Sequence, residues 1–231
     1  MKISVIAFDA DDTLWENENH FQEIEGDFCS LLSSFGSKED ISAKLLEVEM
    51  KNLPYYGFGA KGFTLSMLET AERIMGHQLE VSLVQKILGF GKYLLDMPIN
   101  LLSGVEETFD HLHGKFPLCL ITKEDLLDQE RKEKKSGLGR YFSEVRILCD
   151  KREMDYEGFL RQISCRPEGF LMVGNSMKSD ILPVIPMGGH AAYVPFTYTW
   201  AHEVHQEKVE HERIYACKEI SEILHVIREV Y

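Results

Sequence analysis

The sequence has little positive charge, and its cysteines show no pairing pattern. Its 231 residues carry a formal net charge of −13, which argues against duplex nucleic acid or an anionic membrane as the partner, because both select for basic surfaces. The five cysteines are odd in number, far apart, and form no CxxC pair. That usage is typical of reduced thiols, so we expect a cytoplasmic protein. No apolar run is long enough to span a bilayer, and the first residues lack a signal-peptide pattern.

Strand and helix patterns alternate over most of the chain. Hydrophobic residues make up 44% of it, which is enough for a sizeable core. Alternating strands and helices predict a doubly wound parallel α/β sheet with helices on both faces. Strands are expected at 3–8, 116–121, 145–148, 170–173 and 191–194, with a short edge strand at 213–216.

The region 16–97 interrupts this alternation. Apolar residues recur there at three- and four-residue steps, which predicts four helices and no strand. Gly36 and Pro54 are expected to end the first two helices. We therefore expect an α/β core from residues 1–15 and 98–231, with a helical cap from 16–97 inserted after the first strand. An insert at that point is a candidate lid over a site at the strand ends.

The first strand runs into acidic residues. Asp9 and Asp11 are two apart in an extended segment, so their side chains share a face. Carboxylates this close repel each other unless a cation lies between them, and oxygen ligands suit Mg²⁺. One aspartate could then be a nucleophile and the other a general acid and base. An acidic cap of the next helix explains the two residues equally well, so the other strand ends must decide.

Three further strands also end in polar residues. Thr122 offers a hydroxyl and backbone donors to a phosphoryl oxygen, and Lys151 could neutralise the transferring group. The fourth strand runs into Gly174, Asn175 and Asp180, a glycine turn followed by amide and carboxylate oxygens. Together with the first strand end, these are the groups that phosphoryl transfer requires.

Plainer interpretations of these residues stay open. Thr122 could be a helix N-cap, and Asp180 could serve a helix dipole. Lys123 or Lys178 could take the role given to Lys151. Asn175 fits a site residue and an ordinary loop residue about equally well.

The four strand ends resemble the motifs of the haloacid dehalogenase-like (HAD) superfamily, and the resemblance covers nearly the whole chain. The family's DxDxT motif is matched by Asp9-Ala10-Asp11-Asp12-Thr13, its Thr after the next core strand by Thr122, its Lys by Lys151, and its glycine-acidic motif by Gly174-Asn175-Ser176-Met177-Lys178-Ser179-Asp180. Four motifs in order, with a helical insert in the expected place, make the resemblance specific.

The resemblance implies a role for each residue. Asp9 would attack phosphorus and bind Mg²⁺, and Asp11 would be the general acid and base, with its backbone carbonyl also on the metal. Thr122 and Lys151 would hold the phosphoryl group, and Asp180 would be a further metal ligand. True dehalogenases of the family lack the second acid, so Asp11 favours a phosphatase or phosphotransferase.

The chain departs from the family pattern at three positions. Asp12 stands where the family often has Gly, and Lys123 where it often has Asn or Asp. Asn175 stands where it commonly has Asp. Asn can ligate a metal or hold a metal-bound water but brings no charge, which implies weaker metal binding or a larger share carried by Asp180.

We therefore expect an Mg²⁺-dependent phosphatase that acts on a small phosphorylated metabolite and is a monomer or homodimer. A phosphomutase or other phosphotransferase is an alternative within the same chemistry. A non-catalytic phosphate-sensing or interaction module is an alternative of another class. Receiver-like sensors, however, carry their aspartate after a middle strand and have no large helical insert.

Overall fold

The computed structural model describes residues 2–205 and 209–230. Over these residues it contains a six-stranded sheet in which all neighbouring strands are parallel, in the order β3-β2-β1-β4-β5-β6. The doubly wound fold predicted from the sequence is confirmed. The strands are β1 (Val5–Phe8), β2 (Leu118–Lys123), β3 (Phe142–Leu148), β4 (Phe170–Gly174), β5 (His190–Tyr193) and β6 (Ile214–Ala216).

Alternate residues of the central strands enter two separate hydrophobic layers. Ile6 and Phe8 pack on one side of β1 with residues of α5 (Val105–Leu112) and α8 (Ile223–Val230). Val5 and Ala7 pack on the other side with residues of α7 (Glu153–Gln162). A strand with both faces buried reads as a continuous apolar run, which is why the residues before Asp9 predicted a strand.

The described chain divides into two compact units. The first comprises 1–18, 99–123 and 129–231 and contains the sheet. The second comprises 19–98 and 124–128 and has a hydrophobic core of its own. Nearly all of α1 (Glu18–Leu31) and the whole of α2 (Lys38–Tyr56), α3 (Ala60–Met75) and α4 (Val81–Asp96) lie in it. No described helix combines the length and apolarity needed to cross a bilayer.

Several predicted element bounds were wrong, and β3 begins at Phe142 rather than at residue 145. The first helix ends at Leu31 rather than at Gly36. Helix α2 continues past Pro54 to Tyr56 and is closed by Gly57, whose φ of 68° and N–H bond to Leu53 O are those of a C-terminal cap. A proline so near the helix end forfeits only one backbone bond. The strand predicted to end at residue 121 extends to 123, so Thr122 lies within β2.

The chain leaves β4 through a single π-helical turn, Met177–Ile181, which contains Asp180. Pro183 and Pro186 follow this turn in an irregular stretch, as proline's missing N–H and fixed φ require.

Helices α3 and α4 make a close approach at a glycine. A Cβ placed on Gly91 would lie 2.1 Å from Thr64 Oγ1, whereas one placed on Gly89 of the same helix would meet nothing within 4 Å. A side chain at residue 91 would therefore clash, whereas one at residue 89 would have free space. Substituting each glycine in turn distinguishes the effect of packing from that of helix propensity.

We expect Gly91→Ala to destabilise the protein by about 1–3 kcal/mol, because the added methyl overpacks the contact with Thr64. The matched variant Gly89→Ala should stabilise it by about 0.5–1 kcal/mol, since alanine has the better helix propensity and space is free. Urea unfolding of both variants measures the two changes. A stabilising Gly91→Ala would contradict the close approach.

Candidate active site

The carboxyl ends of neighbouring strands meet at one edge of the sheet. Phe8, the last residue of β1, pairs with Leu120 of β2 and with Val173 of β4. The Asp9 N–H continues this pattern and donates to Val173 O at 2.9 Å. Asp9 and Thr122 therefore lie at the same edge of the sheet. The strand order reverses here, because β2 and β3 lie on one side of β1 and β4, β5 and β6 on the other. Open α/β sheets bind ligands at such a switch point.

The Lys151 ammonium joins two carboxylates from different strand ends. Its Nζ donates to Asp9 Oδ1 and, at 2.8 Å, to Asp180 Oδ1. The side chains of Lys151 and Asp180 are each 1% exposed. Buried charges persist only when they are paired, so the three groups hold one another in place.

The cluster contains two carboxylates and one ammonium, and burial and the neighbouring charges both shift their pKa values. Burial and the nearby Asp180 raise the pKa of Asp9 above its ordinary value, although Lys151 opposes that shift. Burial lowers the pKa of Lys151, but Asp180 and Asp9 raise it more, so it lies above its ordinary value. The cluster is therefore short of positive charge.

Gly174 makes room for the Asp180 side chain. A Cβ at Gly174 would lie 2.3 Å from Asp180 Oδ2, a distance that no side chain could accommodate. The same oxygen accepts the Ser176 N–H at 2.9 Å, while Oδ1 faces Lys151. Both Asp180 oxygens thus have fixed donors, and the glycine at the end of β4 is a steric requirement.

Thr13 connects Asn175 to Asp9. Its Oγ1 lies 3.1 Å from Asp9 Oδ2 and 3.2 Å from Asn175 Oδ1, within hydrogen-bond distance of both. The amide oxygen of Asn175 is therefore next to the cluster that Asp9 and Asp180 form.

The Asp11 side chain has a different set of partners. Trp15 Nε1 donates to its Oδ1 at 2.8 Å, and Lys132 Nζ donates to the same oxygen at 3.1 Å. Gln129 Nε2 donates to Oδ2. Asp9 and Asp11 thus differ in environment although they are two residues apart, which suits carboxylates that perform different tasks.

Asp12 has a structural role that explains the departure from the family's glycine. Its φ is 60°, in the left-handed region that glycine enters freely and aspartate tolerates. Its carboxylate accepts the N–H groups of Asn17 and Glu18, where α1 begins. The side chain thereby caps the helix that a glycine would leave uncapped.

The two other candidate lysines have partners away from Asp9. Lys123 Nζ donates to Ser179 Oγ at 2.8 Å and to Glu203 Oε1, and Lys178 Nζ contacts His202. Glu203 also accepts from the Ser179 hydroxyl at 2.8 Å and from the Ser176 hydroxyl. Burial alone would raise the pKa of Glu203, but Lys123 and the two serines lower it to about 2.

The oxygen atoms at this edge suit a hard divalent cation. The Asp9 and Asp180 carboxylates and the Asn175 amide are oxygen donors of the kind that Mg²⁺ prefers. No described group of three or more His, Cys, Asp or Glu side chains is arranged to hold a metal ion.

Sequence reasoning missed Gln129, Lys132 and Glu203. Gln129 and Lys132 are three apart on α6 (Leu126–Ser136), which puts them on one helix face. The spacing of three is evident from the sequence, but the sequence does not show that this helix face contacts Asp11. Glu203 ends a short 3₁₀ helix, Ala201–Glu203, after β5, and no local pattern distinguishes it from the other acidic residues there.

No protein-family model and no curated protein sequence matches the chain, but solved structures do. A haloacid dehalogenase-like family hydrolase from Xanthomonas campestris is 33% identical and superposes with a TM-score of 0.89. The match covers 99% of this chain and 91% of that one.

More distant structures share the fold. YfnB from Bacillus subtilis, described as a HAD hydrolase bound to magnesium, is 16% identical with a TM-score of 0.65, over 99% of this chain and all of that one. A predicted phosphoglycolate phosphatase from Haemophilus somnus 129Pt is 16% identical with a TM-score of 0.62, over 98% of each chain. At this identity the two structures show a common fold alone.

We expect Glu203→Gln to lower stability at neutral pH by on the order of 3 kcal/mol, the free energy of a pKa lowered from 4.5 to about 2. A lowered carboxylate pKa stabilises the folded state above the unfolded value of 4.5. The contribution is lost as the pH falls toward 2. The difference between wild type and variant should therefore be full at pH 7 and smaller at pH 3 in urea unfolding.

Glu47→Gln is the matched control, because Glu47 pairs with Lys51 on the surface, where both side chains are more than half exposed. Surface pairs contribute little to stability, so this variant should unfold like wild type at both pH values. A Glu203→Gln effect that did not change with pH would contradict the ion pair with Lys123.

Proposed function

Because the chain belongs to the haloacid dehalogenase-like hydrolases, a family of enzymes, we propose that it hydrolyses small phosphomonoesters through an aspartyl-phosphate on Asp9. The contact of Lys151 with both Asp9 and Asp180 carries the proposal. It joins a nucleophile, a cation and a potential metal ligand at one buried point of the sheet edge.

Asp11 supports phosphoryl transfer over dehalogenation. Transfer from a phosphomonoester releases an alkoxide, which leaves more easily when a general acid protonates it. The dehalogenation step releases halide, which needs no proton. A general acid two residues after the nucleophile therefore has a task in phosphoryl transfer that it lacks in the release of halide.

The reaction divides into two displacements on phosphorus. Asp9 Oδ attacks, the bond from phosphorus to the leaving oxygen breaks, and Asp11 gives its proton to that oxygen. Asp11 then takes a proton from water as the water oxygen bonds to phosphorus and the Asp9 carboxylate is released. Lys151 and Thr122 would hold the equatorial phosphoryl oxygens, where transition-state charge is greatest.

Asp9, Asp180, Asn175 and the backbone carbonyl of Asp11 would hold Mg²⁺. Bound there, the ion would neutralise charge on the phosphoryl group and on the two carboxylates that share one ammonium.

The helical unit supports a role in substrate choice. It is inserted between the strand that carries Asp9 and the rest of the sheet, and it has its own core. We propose that it is a cap domain that selects a small phosphorylated metabolite and excludes water from the reaction.

We expect Asp9→Asn to reduce release of 4-nitrophenol from 4-nitrophenyl phosphate with Mg²⁺ by at least about 10³-fold, because the nucleophile is lost. Its circular dichroism should match wild type. The same substitution at exposed Asp27 should leave turnover unchanged. Substantial activity in Asp9→Asn would remove Asp9 as the nucleophile.

A panel of metabolite phosphates, assayed for inorganic phosphate with and without Mg²⁺, tests the reaction class. Metal-dependent phosphate release supports a phosphatase. Transfer to a second sugar hydroxyl without phosphate release would identify a phosphotransferase instead, and no reaction with any member would favour a non-catalytic module.

We expect Asn175→Asp to tighten Mg²⁺ binding by about tenfold in isothermal titration calorimetry, because ligand charge sets the affinity of such sites. Thr13 Oγ1 can still donate to the new carboxylate. Asn100→Asp, which adds the same charge at an exposed position, should leave binding unchanged. Equal affinities for wild type and Asn175→Asp would exclude residue 175 from the metal site.

A further inference from the structure

Helix α6 presents two donors to the Asp11 carboxylate. Lys132 Nζ lies 3.1 Å from Asp11 Oδ1, and Gln129 Nε2 donates to Oδ2. The two residues are one helical turn apart, so one face of α6 supplies both contacts. Both are buried, at 3% and 1% exposure.

A lysine is buried at a cost unless its charge is paired. Lys132 meets this requirement through Asp11 and through Asn17, whose Oδ1 lies 2.8 Å from Nζ. Asp11 precedes Trp15 in the sequence and Asn17 follows it, and Trp15 Nε1 also donates to Asp11. The Lys132 ammonium therefore connects the two ends of the segment 11–17.

Three donors nearly saturate this carboxylate. Its two oxygens offer about four lone-pair sites, of which Trp15, Lys132 and Gln129 occupy three. About one site is left for a mobile proton, and the donors fix the direction in which it points. General acid catalysis depends on such alignment, because the proton must lie within hydrogen-bond reach of the leaving oxygen.

We propose that Lys132 and Gln129 are positioning residues that hold Asp11 in the orientation required to protonate the leaving oxygen. The inference rests on the proposed phosphatase function. In the step concerned, the electrons of the phosphorus–oxygen bond pass to the leaving oxygen, and that oxygen takes the proton from Asp11. The aspartate is left as a carboxylate, whose charge the Lys132 ammonium balances.

The test compares two substrates of similar shape that differ in their need for an acid. Phenyl phosphate releases a basic phenolate, and 4-nitrophenyl phosphate releases a weakly basic one. Lys132→Met should lower kcat/KM for phenyl phosphate by about tenfold or more, because the misplaced acid loses part of the rate enhancement that a general acid usually gives. For 4-nitrophenyl phosphate, whose leaving group needs little protonation, kcat/KM should fall by less than about threefold. Lys132→Arg should restore part of the loss, because it keeps the charge.

A double-mutant cycle with Asp11→Asn shows whether Lys132 acts through Asp11. If it does, Lys132→Met has no further effect on phenyl phosphate once Asp11 is replaced. Full additivity would overturn the proposal. Equal losses for both substrates, or a rise in KM alone, would also overturn it and would assign Lys132 to substrate binding or to folding.

Lys134→Met removes an exposed lysine from the same helix and should leave both substrates unaffected. If Lys132→Met does not fold, Gln129→Leu decides, since it removes a donor without changing charge and should show the same selective loss on a smaller scale. Wild-type protein that hydrolyses neither ester would refute the phosphatase itself. Wild-type turnover without selectivity in these variants would refute the positioning role alone.

Discussion

The ammonium of Lys151 is the contact on which the sheet edge depends. Two carboxylates buried side by side repel each other unless one takes up a proton or a cation lies between them, and Asp9 and Asp180 share one lysine. The neighbouring residues follow from it. Gly174 has no side chain because Asp180 occupies the space, and Ser176 turns its N–H toward the same carboxylate.

Two further pairs of a largely hidden lysine and a carboxylate lie nearby, although the protein as a whole carries a net charge of −13. Asp11 is paired with Lys132, and Glu203 with Lys123. Each pair joins residues distant in sequence and largely hidden from water. A strongly acidic chain thereby places three lysines, all largely hidden from water, around one part of the sheet edge, and global charge is a poor guide to the local field.

Most of the fold could be read from the sequence, because both of its periodicities are local. The apolar run before Asp9 and the helical spacing of 16–97 depend only on neighbours along the chain. The ends of helices and strands were predicted less well, since Pro54 lies inside α2 and β2 extends to Lys123. At the site, the strand ends indicated Asp9, Thr122, Lys151 and Asp180. Gln129, Lys132 and Glu203 were not found, because their partners are defined by tertiary packing that no spacing records.

The insertion of the helical unit also has a consequence for folding. Strands β1 and β2 are neighbours in the sheet, yet about 110 residues separate Phe8 from Leu118. A direct crossover needs about 30. Because loop-closure entropy grows only with the logarithm of length, the longer connection costs about 1 kcal/mol more. When the helical unit folds around its own core, the flexible part of the connection between β1 and β2 becomes shorter. That shortening offsets this small entropic cost. A chain of this topology can therefore gain a complete accessory domain at almost no thermodynamic penalty to the sheet.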